Sequence, residues 1–214
     1  MTALLGALFS LYLLYLLWEA HAVRIARKKL AHVVHVNGTR GKSTVSRLIE
    51  AGLRAGGLRV FCKTTGTDPM TIDVNGREEL ICRRGKANIK EQIAVLRRAA
   101  AQNAQVLVVE CMAITPEFQQ TSQHDILRAD IGVITNVRRD HMDVMGDTLP
   151  RIADALCHTV PRRGILFTAE TVMTEWLKAA AEKNGSSFVC AEVRGDEGTL
   201  DFPENVALAL AVCE

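Results

Sequence analysis

The sequence predicts an α/β fold: a mostly parallel sheet with helices on both faces, preceded by one N-terminal transmembrane helix. Three observations carry this. Short β-branched runs alternate with helix-like runs over residues 31–214, the pattern of a parallel sheet covered on both sides. The first of these strands feeds a glycine-rich turn that feeds a helix. Residues 1–18 contain no charge and are dominated by Leu.

The apolar run, of about 18 residues, is near the lower limit for crossing a bilayer as a helix. A secretory signal would place a basic stretch before the run and a small-residue cleavage site after it. Here the charge comes afterwards, at Arg24, Arg27, Lys28 and Lys29, which puts the C-terminal side in the cytoplasm. Tyr12, Tyr15 and Trp18 suit an interface. The expected segments are a membrane anchor at 1–20, a basic juxtamembrane linker at 21–30 and a nucleotide-binding domain at 31–214. A helix buried against a partner protein is the competing reading of the same run.

Within the domain, 32–37 reads as a short strand bounded by Gly38, 43–55 as a helix and 59–62 as a second strand. The stretches 72–74 and 79–82, joined through Asn75-Gly76, read as a hairpin with a tight type I′ turn. An amphipathic helix follows at 89–101, then buried strands at 106–109 and 131–135. A helix at 148–159 opens near Pro150. Strands at 164–168 and 187–191 flank a helix at 172–183, and a last helix begins at Pro203. The chain stops inside that helix without a stop signal, so a further C-terminal part is expected.

Composition excludes some classes. A formal charge of +2 and 5% aromatic residues give no footing for a nucleic-acid partner. The six cysteines, Cys62, Cys82, Cys111, Cys157, Cys190 and Cys213, include no closely spaced pair, so no metal knuckle is present. Buried, reduced thiols of a cytosolic domain are expected.

The chemistry concentrates in Gly38-Thr39-Arg40-Gly41-Lys42-Ser43-Thr44. Gly38 and Gly41 let backbone N–H groups approach a phosphate, and the following helix aims its N-terminus at the anion. Lys42 would reach the β- and γ-phosphates of ATP, and Ser43 would place its hydroxyl on Mg²⁺. The general phosphate-loop pattern wants glycine where Val36 stands. Glu110 ends the strand 106–109, where ligands bind in open α/β sheets, and a carboxylate suits a hard cation. A solvated edge residue is the bland reading of Glu110, and a glycine-rich turn with an exposed lysine that of the loop.

The shorter form G-T-x-G-K-[ST]-T, with Glu110 and the stretch Thr135-Asn136-Val137-Arg138-Arg139-Asp140-His141-Met142-Asp143, resembles the Mur ligase family. The resemblance spans about 31–214 and implies the family's central ATPase domain. It implies Glu110 and His141 as magnesium ligands beside Ser43, Asn136 near the metal and phosphate site, and Asn205 at the adenine. A plain N-terminal cap is the equal alternative for Asn205. Asp140 and Asp143 are expected to orient neighbours. Two departures stand: Cys111-Met112-Ala113 replace the serines that often follow the glutamate, and no lysine occurs between Lys90 and Lys178, where the family usually carries a carbamylated one. Lys63, ending the second strand, is the candidate substitute.

An anchor joined directly to this domain is similar to the ligase subunits of poly-γ-glutamate synthases. That likeness implies an ATP-dependent ligase joining glutamate to polyglutamate through an acyl phosphate. Other membrane subunits, an oligomer, the inner membrane and a cytoplasmic catalytic domain are implied as its setting. The pairs Arg83-Arg84, Arg97-Arg98, Arg138-Arg139 and Arg162-Arg163 could hold an anionic polymer, Arg138 and Arg139 being favoured. A folylpolyglutamate-type ligase and a membrane NTPase without ligase activity are the alternatives.

Overall fold

In a computed structural model describing residues 2–83, 85, 87–194 and 202–214, the alternation resolves into one eight-stranded sheet. Strands β1 (His32–Asn37), β2 (Val60–Lys63), β5 (Val106–Glu110), β6 (Ile131–Ile134), β7 (Ile165–Thr168) and β8 (Ser187–Cys190) are parallel. An antiparallel hairpin, β3 (Met70–Ile72) and β4 (Glu78–Leu80), extends the β2 edge. The order is β4-β3-β2-β5-β1-β6-β7-β8.

The hairpin turn is not type I′. Gly76 takes φ +81°, but Asn75 does not join it in the left-handed region. The Asp73 carboxylate instead accepts from the Asn75 and Arg77 N–H groups. Aspartate organising the backbone two residues on is a strong local turn signal, and it lengthens the loop beyond the dipeptide.

Alternation along each strand sorts the side chains onto two faces. Val33, Phe61, Leu107 and Val109 pack with α1 (Thr2–Lys28) and α3 (Lys90–Ala101). Val34, Val36, Cys62, Val106 and Val108 pack with α2 (Lys42–Ala55) and α8 (Pro203–Cys213). A third cluster joins Ile134 and Leu166 to α6 (Leu149–Cys157) and α7 (Thr174–Lys183). Cys62 and Cys111 are buried as expected, whereas Cys82 and Cys190 are exposed.

Helix α1 passes through the stretch read as a linker and ends only at Lys28. Its first part is long and apolar enough to cross a membrane: an 18-residue window has mean hydropathy 1.7 and none of it is buried. Its last turns belong to the domain. Val23 and Ala26 are buried, Arg27 pairs with Asp130 at 2.7 Å, and the Arg97 guanidinium lies 5.3 Å over the Trp18 ring.

Nothing in the residue pattern announces α4 (Pro116–Gln120), the π-helical turn Thr121–Leu127 that continues it, or the single turn α5 (Met142–Met145). The first two serve β1. His35 and Asn37 lie on one strand face and are buried; Asn37 Nδ2 donates to Gln119 Oε1 at 2.7 Å, and His35 Nδ1 lies 2.8 Å from Gln123 Oε1. Residues two apart on a strand and four apart on a helix are both separated by roughly 6–7 Å, so two glutamines match two strand polar groups. Burial pushes the His35 imidazole down to about 4.

Candidate active site

The loop between β1 and α2 depends on its glycines. Gly38 has φ +130°, and a Cβ there would lie 2.1 Å from Thr135 Oγ1. Gly41 has φ +78° and caps α2 with no side-chain hydrogen bond, and the helix's first turn carries no acidic residue. The opening N–H groups of α2 therefore have no capping side chain, the condition for receiving an anion. The Lys42 ammonium arches over the loop and donates to the carbonyls of Gly38 (2.7 Å) and Thr39 (3.2 Å). Thr44, in the same first turn, is exposed.

Register brings Glu110 to this loop. Its side chain falls on the α2 face with Val106 and Val108, and Oε2 accepts from Ser43 Oγ at 2.8 Å and from Thr65 N at 2.7 Å. Glu110 is 2% exposed. It shares a cavity of about 290 Å³ with Gly38, Lys42, Thr65, Arg83, Met112 and His141. His141 reaches this wall from a left-handed backbone position, φ +46°, that opens α5. Its N–H donates to Asp140, which also pairs with Arg40 at 3.3 Å, so Asp140 orients its neighbours as expected. Among the described residues no three His, Cys, Asp or Glu side chains form a metal cluster.

Asn136 braces the loop. Its Oδ1 accepts from Thr39 Oγ1 (2.6 Å) and Arg40 N (3.1 Å), and its Nδ2 donates to Arg40 O at 3.1 Å. Asn205 sits on the other side of the loop, its Oδ1 2.9 Å from where a Cβ on Gly41 would lie. It lines a second cavity of about 410 Å³ with Arg40, Gly41, Thr44, Asn136 and Phe202. The two cavities thus flank one phosphate-type loop. A cavity of about 750 Å³ around His158 and Trp176 is larger, but none of the motif residues lines it.

Two basic residues depart from expectation. Lys63 falls on the α3 face and is fully buried, its ammonium 2.9 Å from Glu91 Oε1. Burial lowers its pKa, and the Glu91 charge opposes that fall. Arg83 holds the same Glu91 through two hydrogen bonds of 2.7 and 2.9 Å; burial would raise the Glu91 pKa, but the two cations hold it below its usual range. Arg83 thereby stands fixed on the 290 Å³ cavity wall, while Arg84 lies outside the described residues. Arg138, favoured for polymer binding, is bound to buried Glu170 at 2.9 Å. Glu170 also accepts from the N–H groups of Val137, Val172 and Met173 and so fixes the start of the His141 loop. Sequence reading missed Glu170, although its place just after β7 carried the same strand-end signal as Glu110.

The Mur ligase middle domain matches residues 36–207. The chain is 37% identical over 223 aligned residues to the capsule biosynthesis protein CapB of Bacillus anthracis, covering 100% of this chain and 48% of that protein. It is 40% identical over 191 residues to PGA synthase CapB of Bacillus subtilis (strain 168), covering 85% of this chain and 48% of the relative. It therefore spans about half the length of these two relatives. Among solved structures, an FPGS–AMPPCP–folate complex superposes with a TM-score of 0.65 at 17% identity, over 92% of this chain and 60% of that one. A bifunctional folylpolyglutamate synthase/dihydrofolate synthase with Mn, AMPPNP and L-glutamate bound gives 0.64 at 17% identity, over 91% and 56%; at such identity the likeness concerns the fold. The middle-domain match, spanning most of the chain and all the motifs above, establishes that the protein belongs to the Mur ligase family.

Proposed function

We propose that this chain is the ATP-binding part of a membrane-anchored ligase that extends poly-γ-glutamate. The carrying observation is the Ser43–Glu110 pair beside the uncapped N-terminus of α2. Magnesium binds oxygens at 2.0–2.1 Å in octahedral geometry, so neighbouring ligands stand roughly 2.9 Å apart. Ser43 Oγ and Glu110 Oε2 are 2.8 Å apart, and the oxygens fit a hard cation, with His141 on the same cavity wall. When bound, Mg²⁺ would neutralise phosphate charge.

In this reading the triphosphate lies along 38–44, Lys42 turns from the Gly38 and Thr39 carbonyls to the β- and γ-phosphates, and the adenine occupies the cavity beside Asn205. A terminal carboxylate oxygen attacks the γ-phosphorus and ADP departs. The amine of the next glutamate then attacks the acyl carbon; the C–N bond forms, phosphate leaves and the amine proton passes to it or to water. The protein contributes positioning and charge. Arg83, held by Glu91, is the cation best placed to meet the anionic substrate. The relatives named for capsule biosynthesis and PGA synthase favour polyglutamate as the product. Their extra length supports further parts closing the site. Other membrane subunits, an oligomer and a cytoplasmic domain behind an inner-membrane anchor complete the reading.

The test uses membranes from cells making the full-length protein with its partners. MgATP-dependent incorporation of labelled glutamate into polymer is expected, and Lys42→Ala should abolish it. ATP hydrolysis without incorporation would keep the nucleotide site and reject the polymer. Incorporation unchanged in the variant would reject the loop's role.

A further inference from the structure

The direction in which α1 leaves the domain fixes which side of the domain meets the membrane. In a parallel sheet each crossover helix begins at the edge where strands end and finishes where they start. Lys90 opens α3 at the strand-end edge, while Asp130 precedes β6 at the strand-start edge. Glu19 lies 3.9 Å from Lys90 and Arg27 lies 2.7 Å from Asp130. Helix α1 therefore descends beside α3 from the strand-end edge to the strand-start edge. Trp18 still packs on Arg97 and Leu16 is half-buried, so the exposed segment before Leu16 leads past the strand-end edge, where the ATP loop, Glu110 and His141 lie.

Lengths agree with this placement. From Glu19 to Arg27 the helix rises about 12 Å, close to the ~17 Å height of a five-residue strand. The apolar 2–18 segment spans about 25 Å, close to the ~30 Å hydrocarbon core. It is apolar and unburied. Tyr15 and Trp18, with ring centroids 6.2 Å apart, mark its lower end as aromatic belts mark membrane interfaces. The domain surface next to this exit carries the exposed apolar side chains Ile114 and Phe118, suited to the boundary between headgroups and acyl chains.

We infer that the strand-end edge bearing the active site faces the cytoplasmic leaflet, so that the parts that close the site work between the sheet and the lipid headgroups. The inference rests on the membrane-anchor reading above. It differs from an anchor acting as a tether, which would leave the site free to face any direction; here the Arg27–Asp130 pair and the buried Val23 and Ala26 hold helix and domain together.

The full-length protein with its partners would be reconstituted in vesicles containing anionic lipid, with a fluorescent amino acid at Glu117, by the site, or at Ala101, at the opposite edge. Both positions are exposed, and neither belongs to the proposed machinery. Energy transfer to a headgroup acceptor in the outer leaflet is expected to be at least about twofold stronger from 117, given the ~17 Å strand height. Arg27→Ala with Asp130→Ala, which frees the helix, should narrow the difference. Equal transfer from the two positions, or stronger transfer from 101, overturns the orientation. Failure to float with vesicles overturns the anchor, a result distinct from either.

Discussion

Replacing Asn136 with alanine separates two roles that the motif leaves mixed: a ligand to metal or phosphate, and a brace for the loop. The structure favours the brace, since the amide makes three hydrogen bonds to Thr39 and Arg40. Each such bond contributes about 0.5–1.5 kcal/mol net. Asn136 is half-buried, so water recovers part of the loss, and about 1.5–3 kcal/mol remains. At 1.4 kcal/mol per decade this corresponds to roughly 10- to 100-fold weaker nucleotide binding. The assay is fluorescence titration with a labelled ADP, with and without Mg²⁺, beside thermal unfolding. A brace weakens binding equally in both conditions and also lowers Tm by several degrees, because its three bonds are part of the fold itself. A loss confined to the magnesium titration, or unchanged affinity in both, would refute the brace.

Glu110→Gln keeps an acceptor for Ser43 and Thr65 but removes the charge; ATP turnover should fall at least about 100-fold and need more Mg²⁺, as a metal titration of the rate would show, and turnover unchanged at low Mg²⁺ counts against the cation site. Gly38→Ala should lose nucleotide binding while folding, because its Cβ would meet Thr135 in a backbone region that glycine alone adopts readily; equilibrium dialysis with ATP checks this. The His35 pKa lies near 4, below the usual 6.5, so the unfolded chain takes the proton first as pH falls. Its contribution is intact above pH 6.5 and lost on acidification towards pH 4, by about 3 kcal/mol at most. Urea denaturation across that range should show His35→Gln losing less stability than the parent, and parallel curves would count against it.

The sheet was legible because its signal is local. The runs around Val34, Val108 and Val133 are apolar on both faces, as strands covered by helices on both sides must be, and the loop glycines announce their backbone geometry directly. Residues 116–127 were opaque for the opposite reason. Gln119 and Gln123 have no apolar period to display, and their purpose appears only when β1 delivers Asn37 and His35 to them. Arg138 misled in the same way: a pair of arginines in a motif loop looks like a polymer site until Glu170, thirty-two residues on, is found bonded to one of them. Lys63 was correctly placed at a strand end, but alternation turned its side chain to the face opposite Glu110.

Glu110 and Glu170 show what the strand-end signal can and cannot decide. Both are carboxylates at the edge where the parallel strands finish, and both are nearly or fully buried. A carboxylate offers about four acceptor positions. Glu170 receives three backbone N–H groups and the Arg138 guanidinium, so its capacity is filled and its charge neutralised; it is a fastening for the His141 loop. Glu110 receives, among the described residues, one hydroxyl and one N–H, both on Oε2. That leaves acceptor positions for a further donor or a cation, and the 2.8 Å from Ser43 Oγ is an ordinary hydrogen-bond length that neighbouring oxygens of a magnesium shell would also have. The position of a glutamate in the sequence identifies the edge. The number of donors that reach it distinguishes a structural carboxylate from one suited to a metal.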